Sequence, residues 1–85
     1  MMCATYIVAS PDGIHARPAG CLVKEAGKYQ ANITISCRDK AASARRLFAL
    51  MKLGVRQGDT ITVTAEGPDE AIALDAVMRF IEVNF

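Results

Sequence analysis

The run Ala31-Asn32-Ile33-Thr34-Ile35-Ser36-Cys37 sets Ile33, Ile35 and Cys37 at every second position, with Asn32, Thr34 and Ser36 between them. Side chains alternate faces along a strand, so this reads as a strand with one buried and one wet face. Thr60–Glu66 repeats the pattern, Ile61, Val63 and Ala65 alternating with threonines. Strands with a single apolar face need a single cover. The helices should therefore gather on one side of a mostly antiparallel sheet.

Outward from these two strands, Met2–Ala9 carries Thr, Tyr, Ile and Val and stops at Ser10-Pro11-Asp12-Gly13, which predicts a strand closed by a loop. Between Ala16 and Ala26, the apolar positions Ala19, Leu22, Val23 and Ala26 keep helical spacing, with Gly27 as a candidate C′ residue. Arg38-Asp39-Lys40 is short enough for a hairpin connection, and Ala41–Ala44 follows as a brief returning strand. Arg46–Leu53 holds Leu47, Leu50, Met51 and Leu53 and ends at Gly54, predicting a short helix. After a turn at Gln57-Gly58-Asp59 and the second alternating strand, Gly67-Pro68-Asp69-Glu70 starts the last helix. Proline comes early there, with acids on the positive end of the dipole. Ala73, Leu74, Val77, Phe80 and Ile81 form its apolar face. The order β-α-β-β-α-β-α describes an α+β two-layer sandwich, one domain over residues 1–85 without repeats or linkers.

Composition excludes several classes. A chain of 85 residues that is 52% hydrophobic and 22% charged suits a packed globule and argues against disorder. Fourteen of its residues are alanine, so close helix-to-sheet packing should matter more than bulky side chains. With no tryptophan, three phenylalanines and two tyrosines, it lacks the aromatic platform expected of a single-strand nucleic-acid binder. No apolar run approaches the roughly 18 residues of a membrane span, and no signal-like segment opens the chain. A soluble cytoplasmic protein without membrane insertion is the expectation. Cys3, Cys21 and Cys37 show no paired spacing, so they are read as reduced and mostly buried small hydrophobes.

The net charge of +1 conceals an asymmetry. Residues 38–56 hold Arg38, Lys40, Arg45, Arg46, Lys52 and Arg56 against Asp39 alone, whereas residues 59–85 are acidic apart from Arg79. Such a division suits steering toward an acidic partner or an anionic group.

The chain's single histidine, His15, lies where the loop after the first strand becomes the first helix. Pro18 fits the first helical turn, where a missing N–H costs little. Amides at that end lack intrahelical partners and point outward, offering a site for an anion. Arg17 adds a forked cation suited to phosphate oxygens. The positive end of the helix favours a neutral imidazole, which keeps a lone pair for nucleophilic attack. A nucleophile and an anion cradle therefore coincide; the residues alone do not select a phosphoryl donor.

The segment Gly13-Ile14-His15-Ala16-Arg17-Pro18-Ala19 resembles the active-site signature of HPr, the histidine phosphocarrier of the phosphoenolpyruvate-dependent sugar phosphotransferase system. Val23-Lys24-Glu25-Ala26, Ala42-Ser43-Ala44, Leu47-Phe48, Leu53-Gly54-Val55, Gln57-Gly58 and Ala65-Glu66-Gly67 extend the resemblance along the whole chain. The resemblance implies an open-faced β-sandwich, a four-stranded antiparallel sheet covered on one face by three helices. It implies that His15 accepts a phosphoryl group from phospho-Enzyme I at Nδ1 and passes it to EIIA domains, with Arg17 stabilising it and the Ala16 and Arg17 amides binding it. Leu47, Phe48 and Met51 match the family's apolar docking patch, while Leu50 is read as core. Leu47 and Phe48 are adjacent and cannot share one helix face, so at least one should lie near the surface. Lys24, Lys28 and Arg45 could ring the site and meet an acidic partner. The resemblance implies a monomeric carrier, not an enzyme, needing no metal or cofactor of its own.

One position departs from the family. Many HPr proteins carry a regulatory serine just before the Leu-Phe pair, and this chain has Arg46. Seryl phosphorylation is impossible there, so no control through HPr kinase is expected. The same departure keeps open a second reading, a regulatory HPr paralogue that docks to other proteins in a phosphorylation-dependent way.

Overall fold

In the computed structural model, which describes residues 1–85, the two alternating segments lie side by side at the centre of one sheet. The strands are β1 (Met2–Ile7), β2 (Asn32–Cys37), β3 (Lys40–Ser43) and β4 (Thr60–Glu66), and the helices are α1 (Ala16–Ala26), α2 (Leu47–Lys52) and α3 (Glu70–Asn84). The sheet order is β1-β4-β2-β3, and every neighbouring pair is antiparallel. In the β2–β4 register Ile33 faces Ala65 and Ile35 faces Val63, and all four are buried. On the opposite face Thr34 lies beside Thr64 and Ser36 beside Thr62, with no helix above them. The period-2 pattern thus builds an open-faced α+β sandwich.

The 22-residue core contains seven alanines, so helix and sheet backbones approach closely and the larger side chains fill the remaining space. Leu22, Ile33, Ile35, Leu50, Ile61 and Ile81 are the largest of the fully buried residues. Each contributes about 1.5–3 kcal/mol of burial. No polar or charged residue is buried among them.

Several details differ from the sequence reading. Only Cys37 is buried; Cys3 and Cys21 are exposed. Cys3 stands beside Thr64 on the uncovered face of the sheet, and Cys21 lies on the outer side of α1 with Arg17 and Lys24. Gly27 keeps helical geometry (φ −68°), so α1 continues into a turn rather than ending in a left-handed cap. Gly54, with φ +66°, is the left-handed residue just past α2. Pro68 precedes α3 instead of opening it, because Asp69 takes the N-cap position.

The topology gives the sheet two distinct ends. At one, β1 stops and β4 begins (Ile7 opposite Thr60), and α1 starts just beyond. The end of α3 reaches the same place, where the Phe85 backbone oxygen accepts the amides of Ala9 (2.7 Å) and Ser10 (2.6 Å). At the other end lie the start of β2, the end of β4 (Asn32 opposite Glu66), the last turn of α1 and the first turn of α3.

Candidate functional site

The loop that delivers the histidine is held by its own backbone. Gly13 donates to the Ser10 carbonyl (3.0 Å), and the Ile14 amide reaches the Val55 carbonyl (3.4 Å). Gly13 adopts φ +63°, and a Cβ there would fall 2.0 Å from the Val55 oxygen. Both the dihedral and the close approach demand glycine. Ile14 is buried, anchoring the residue before the histidine in the core.

His15 is the N-cap residue of α1, with extended geometry (φ −115°, ψ 168°) and no capping bond from its side chain. Its carbonyl accepts the Ala19 amide at 3.0 Å. Pro18 has no N–H, so the first turn offers outward the amides of Ala16 and Arg17 beside the imidazole. Ala16 and Arg17 are both exposed, and Arg17 forms no ion pair. No acidic residue occupies this first turn to neutralise its positive end. A half-buried imidazole, two free amides and a free guanidinium therefore sit within one helical turn, an arrangement suited to receiving a dianionic group.

Val55 and Arg56 follow α2 and pack against Gly13 and Ile14, which brings the end of that helix beside the histidine loop. On α2, Phe48 is 78% exposed and Met51 40%, three residues apart on one face, while Leu47 is half-buried. Leu50 is fully buried. The helix thus splits its apolar residues between core and surface, leaving Phe48 and Met51 as an open apolar patch.

The basic residues separate. Lys24 lies exposed in the last turn of α1 and forms no ion pair, and Lys28 pairs with Glu25 at 3.2 Å. Arg45 is not brought to His15. Its guanidinium donates to the carbonyls of Tyr29 and Ala31, beyond the opposite end of α1 from the histidine. Eleven helical residues span about 16 Å, so that cation is remote from the imidazole.

The sequence reading passed over one residue at this site. Phe85 is 3% exposed, and its ring meets the His15 ring edge-on, with centroids 6.3 Å apart and planes at 66°. Spacing of four from Ile81 and eight from Val77 continues the apolar face of α3, so its burial was legible. Its contact with His15 was not.

A family model described as "PTS HPr component phosphorylation site" matches residues 2–83. The chain is 42% identical over 74 residues to phosphocarrier protein HPr of Buchnera aphidicola subsp. Baizongia pistaciae, covering 87% of each sequence. Among solved structures, a histidine-containing phosphocarrier protein from Mycoplasma superposes with a TM-score of 0.90 at 33% identity, over 93% of this chain and 90% of that one. An HPr dimer from Thermoanaerobacter tengcongensis superposes at 0.76 with 38% identity, over 84% of this chain and 82% of that one.

Proposed function

Because this chain belongs to the HPr phosphocarrier family, we propose that His15 takes a phosphoryl group from phospho-Enzyme I and passes it to EIIA domains of the sugar phosphotransferase system. The observation that carries the reading is the set of unengaged groups around the imidazole: the Ala16 and Arg17 amides and the Arg17 guanidinium. The neutral ring attacks phosphorus through Nδ1, forming an N–P bond as the bond to the donor breaks. The two amides and Arg17 then hold the phosphoryl oxygens, matching charge that the imidazole alone could not stabilise. In the second transfer the same bond breaks toward the acceptor, and the ring returns to its neutral state.

A second acid or base histidine is absent from the chain, which fits a carrier whose partners supply the remaining catalytic groups. Donor and acceptor use one exposed surface in turn, with Phe48 and Met51 as the apolar contact and Lys24 among the cations facing an acidic partner. One copy suffices for this role, so a monomer in the cytoplasm is the expected form. Sedimentation at 9.1 kDa distinguishes it from a dimer like that of the Thermoanaerobacter relative.

Mixing the protein with Enzyme I, magnesium and phosphoenolpyruvate tests the reading by intact mass. One acid-labile phosphoryl group is expected on the wild type and none on His15→Ala. No addition, with an Enzyme I active on another HPr, would overturn it. Phosphorylation without onward transfer to any EIIA would leave the regulatory docking role that Arg46 suggests.

A further inference from the structure

A histidine that reacts through one particular nitrogen has to be held in one orientation, and a hydrogen bond from the second nitrogen commonly does this. No protein group forms such a bond here: the imidazole neither donates to nor accepts from any side chain or carbonyl. The aromatic neighbour of His15 is Phe85, in the edge-on geometry that aromatic pairs favour.

Phe85 is itself held firmly. Its amide donates to the Ile81 carbonyl at 2.8 Å, and its backbone oxygen accepts the amides of Ala9 and Ser10. Its ring is almost wholly buried, unlike the neighbouring Val83, which is 84% exposed. The residue therefore ties α3 to the segment that leads into the histidine loop, and its ring ends against the imidazole.

We propose that Phe85 is a positioning residue for His15. This rests on the phosphocarrier reading above. The buried ring restricts the imidazole to one side-chain rotamer, keeping its reactive nitrogen over the Ala16 and Arg17 amides, in place of the usual hydrogen-bonding partner. A ring contact restrains orientation without adding a charge beside the nucleophile.

The test compares Phe85→Leu, which keeps an apolar side chain, with Phe85→Tyr, which keeps the ring. Val77→Ala serves as a control that loosens α3 away from the site. With Enzyme I and phosphoenolpyruvate, Phe85→Leu is expected to lower kcat by about tenfold at unchanged KM, the scale of one lost aromatic pair. Phe85→Tyr should restore wild-type kcat. In the wild type, NMR should show His15 ring protons in contact with the Phe85 ring and a single rotamer; in Phe85→Leu that rotamer should average. Wild-type kcat in Phe85→Leu, an equal loss in Val77→Ala, or no ring contact in the wild-type spectrum would each overturn the proposal. If Phe85→Leu does not fold, the wild-type spectrum decides. Failure of the wild type to accept any phosphoryl group would sink the phosphocarrier reading instead.

Discussion

The two ends of the sheet treat their polar groups in opposite ways. At the end holding the start of β2, a cluster of polar groups finds partners within the protein. The Asp69 carboxylate accepts the amides of Gln30 (2.9 Å) and Ala31 (2.8 Å), Arg45 donates to the Tyr29 and Ala31 carbonyls, and Glu25 takes the Tyr29 hydroxyl (3.1 Å). At the His15 end, two amides, an arginine and the imidazole itself are left without protein partners. Groups satisfied internally lock a loop but have nothing to offer a ligand. Groups left to water cost little while exposed and are ready for an anion. On the phosphocarrier reading, one end serves stability and the other serves exchange with partners.

If that division is right, substitutions at the two ends should separate activity from stability. The largest effect is expected for Arg17→Ala, which removes a charged donor from the developing phosphoryl site. It should slow phosphorylation of His15 by about a hundredfold, the scale of one lost transition-state donor. Its melting temperature should match the wild type, because the side chain holds nothing in the folded protein. Equal losses in rate and melting temperature would break the comparison. Phe48→Ala comes next. It should raise KM for Enzyme I by about tenfold, as for a single interface anchor, with the melting transition unmoved because the ring is solvent-facing.

How much of this could be read without coordinates depended on the distance between the cause and its signal. β2 and β4 were legible because period-2 alternation is local, and a one-residue slip would have turned every isoleucine to water. His15, Ala16 and Arg17 were legible for a similar reason, since loop, nucleophile and helix start lie within seven residues of chain. Arg45 was not. Its partners are main-chain carbonyls, which leave no mark in the amino-acid identities. Cys3 and Cys21 failed because hydrophobic character gives an average preference, while their exposure follows from which face of β1 and α1 they occupy. The contact between Phe85 and His15 required both ends of the fold to meet.

A smaller effect, confined to stability, is expected at the distal end. The Gln30 amide foremost, then the Ala31 amide and Arg45, hold the Asp69 carboxyl below its ordinary value of 3.8 despite partial desolvation. A lowered folded-state pKa means that the charged form stabilises the fold. That contribution is complete above the unfolded value and disappears as pH falls through the folded one. Thermal melts from pH 7 down to acid should therefore show Asp69→Ala less stable at neutral pH, with a shallower acid-induced loss. Phosphorylation by Enzyme I at neutral pH, below its melting range, should be unaltered. A wild-type acid slope in the variant would show that the loop is held by something other than this carboxylate.

The smallest expected effect concerns Arg46, which belongs to neither group. It is the N-cap residue of the six-residue α2, provides no capping bond, and stands exposed next to the Leu47-Phe48 pair. A cation at the positive end of a helix is mildly unfavourable, so the fold gains nothing electrostatically by it. On the phosphocarrier reading, its charge instead extends the field that an approaching acidic partner meets. Replacing it by serine should change KM for Enzyme I or EIIA by two- to threefold, about the effect of one exposed charge, and the difference should fade in high salt. Serine would also place a hydroxyl at the position where the sequence resemblance implies a regulatory serine, so incubation with HPr kinase and ATP should modify Arg46→Ser but leave the wild type untouched. Seryl phosphate on wild-type α2 would refute the loss of that control. An unchanged, salt-independent KM in the variant would remove Arg46 from the exchange surface altogether.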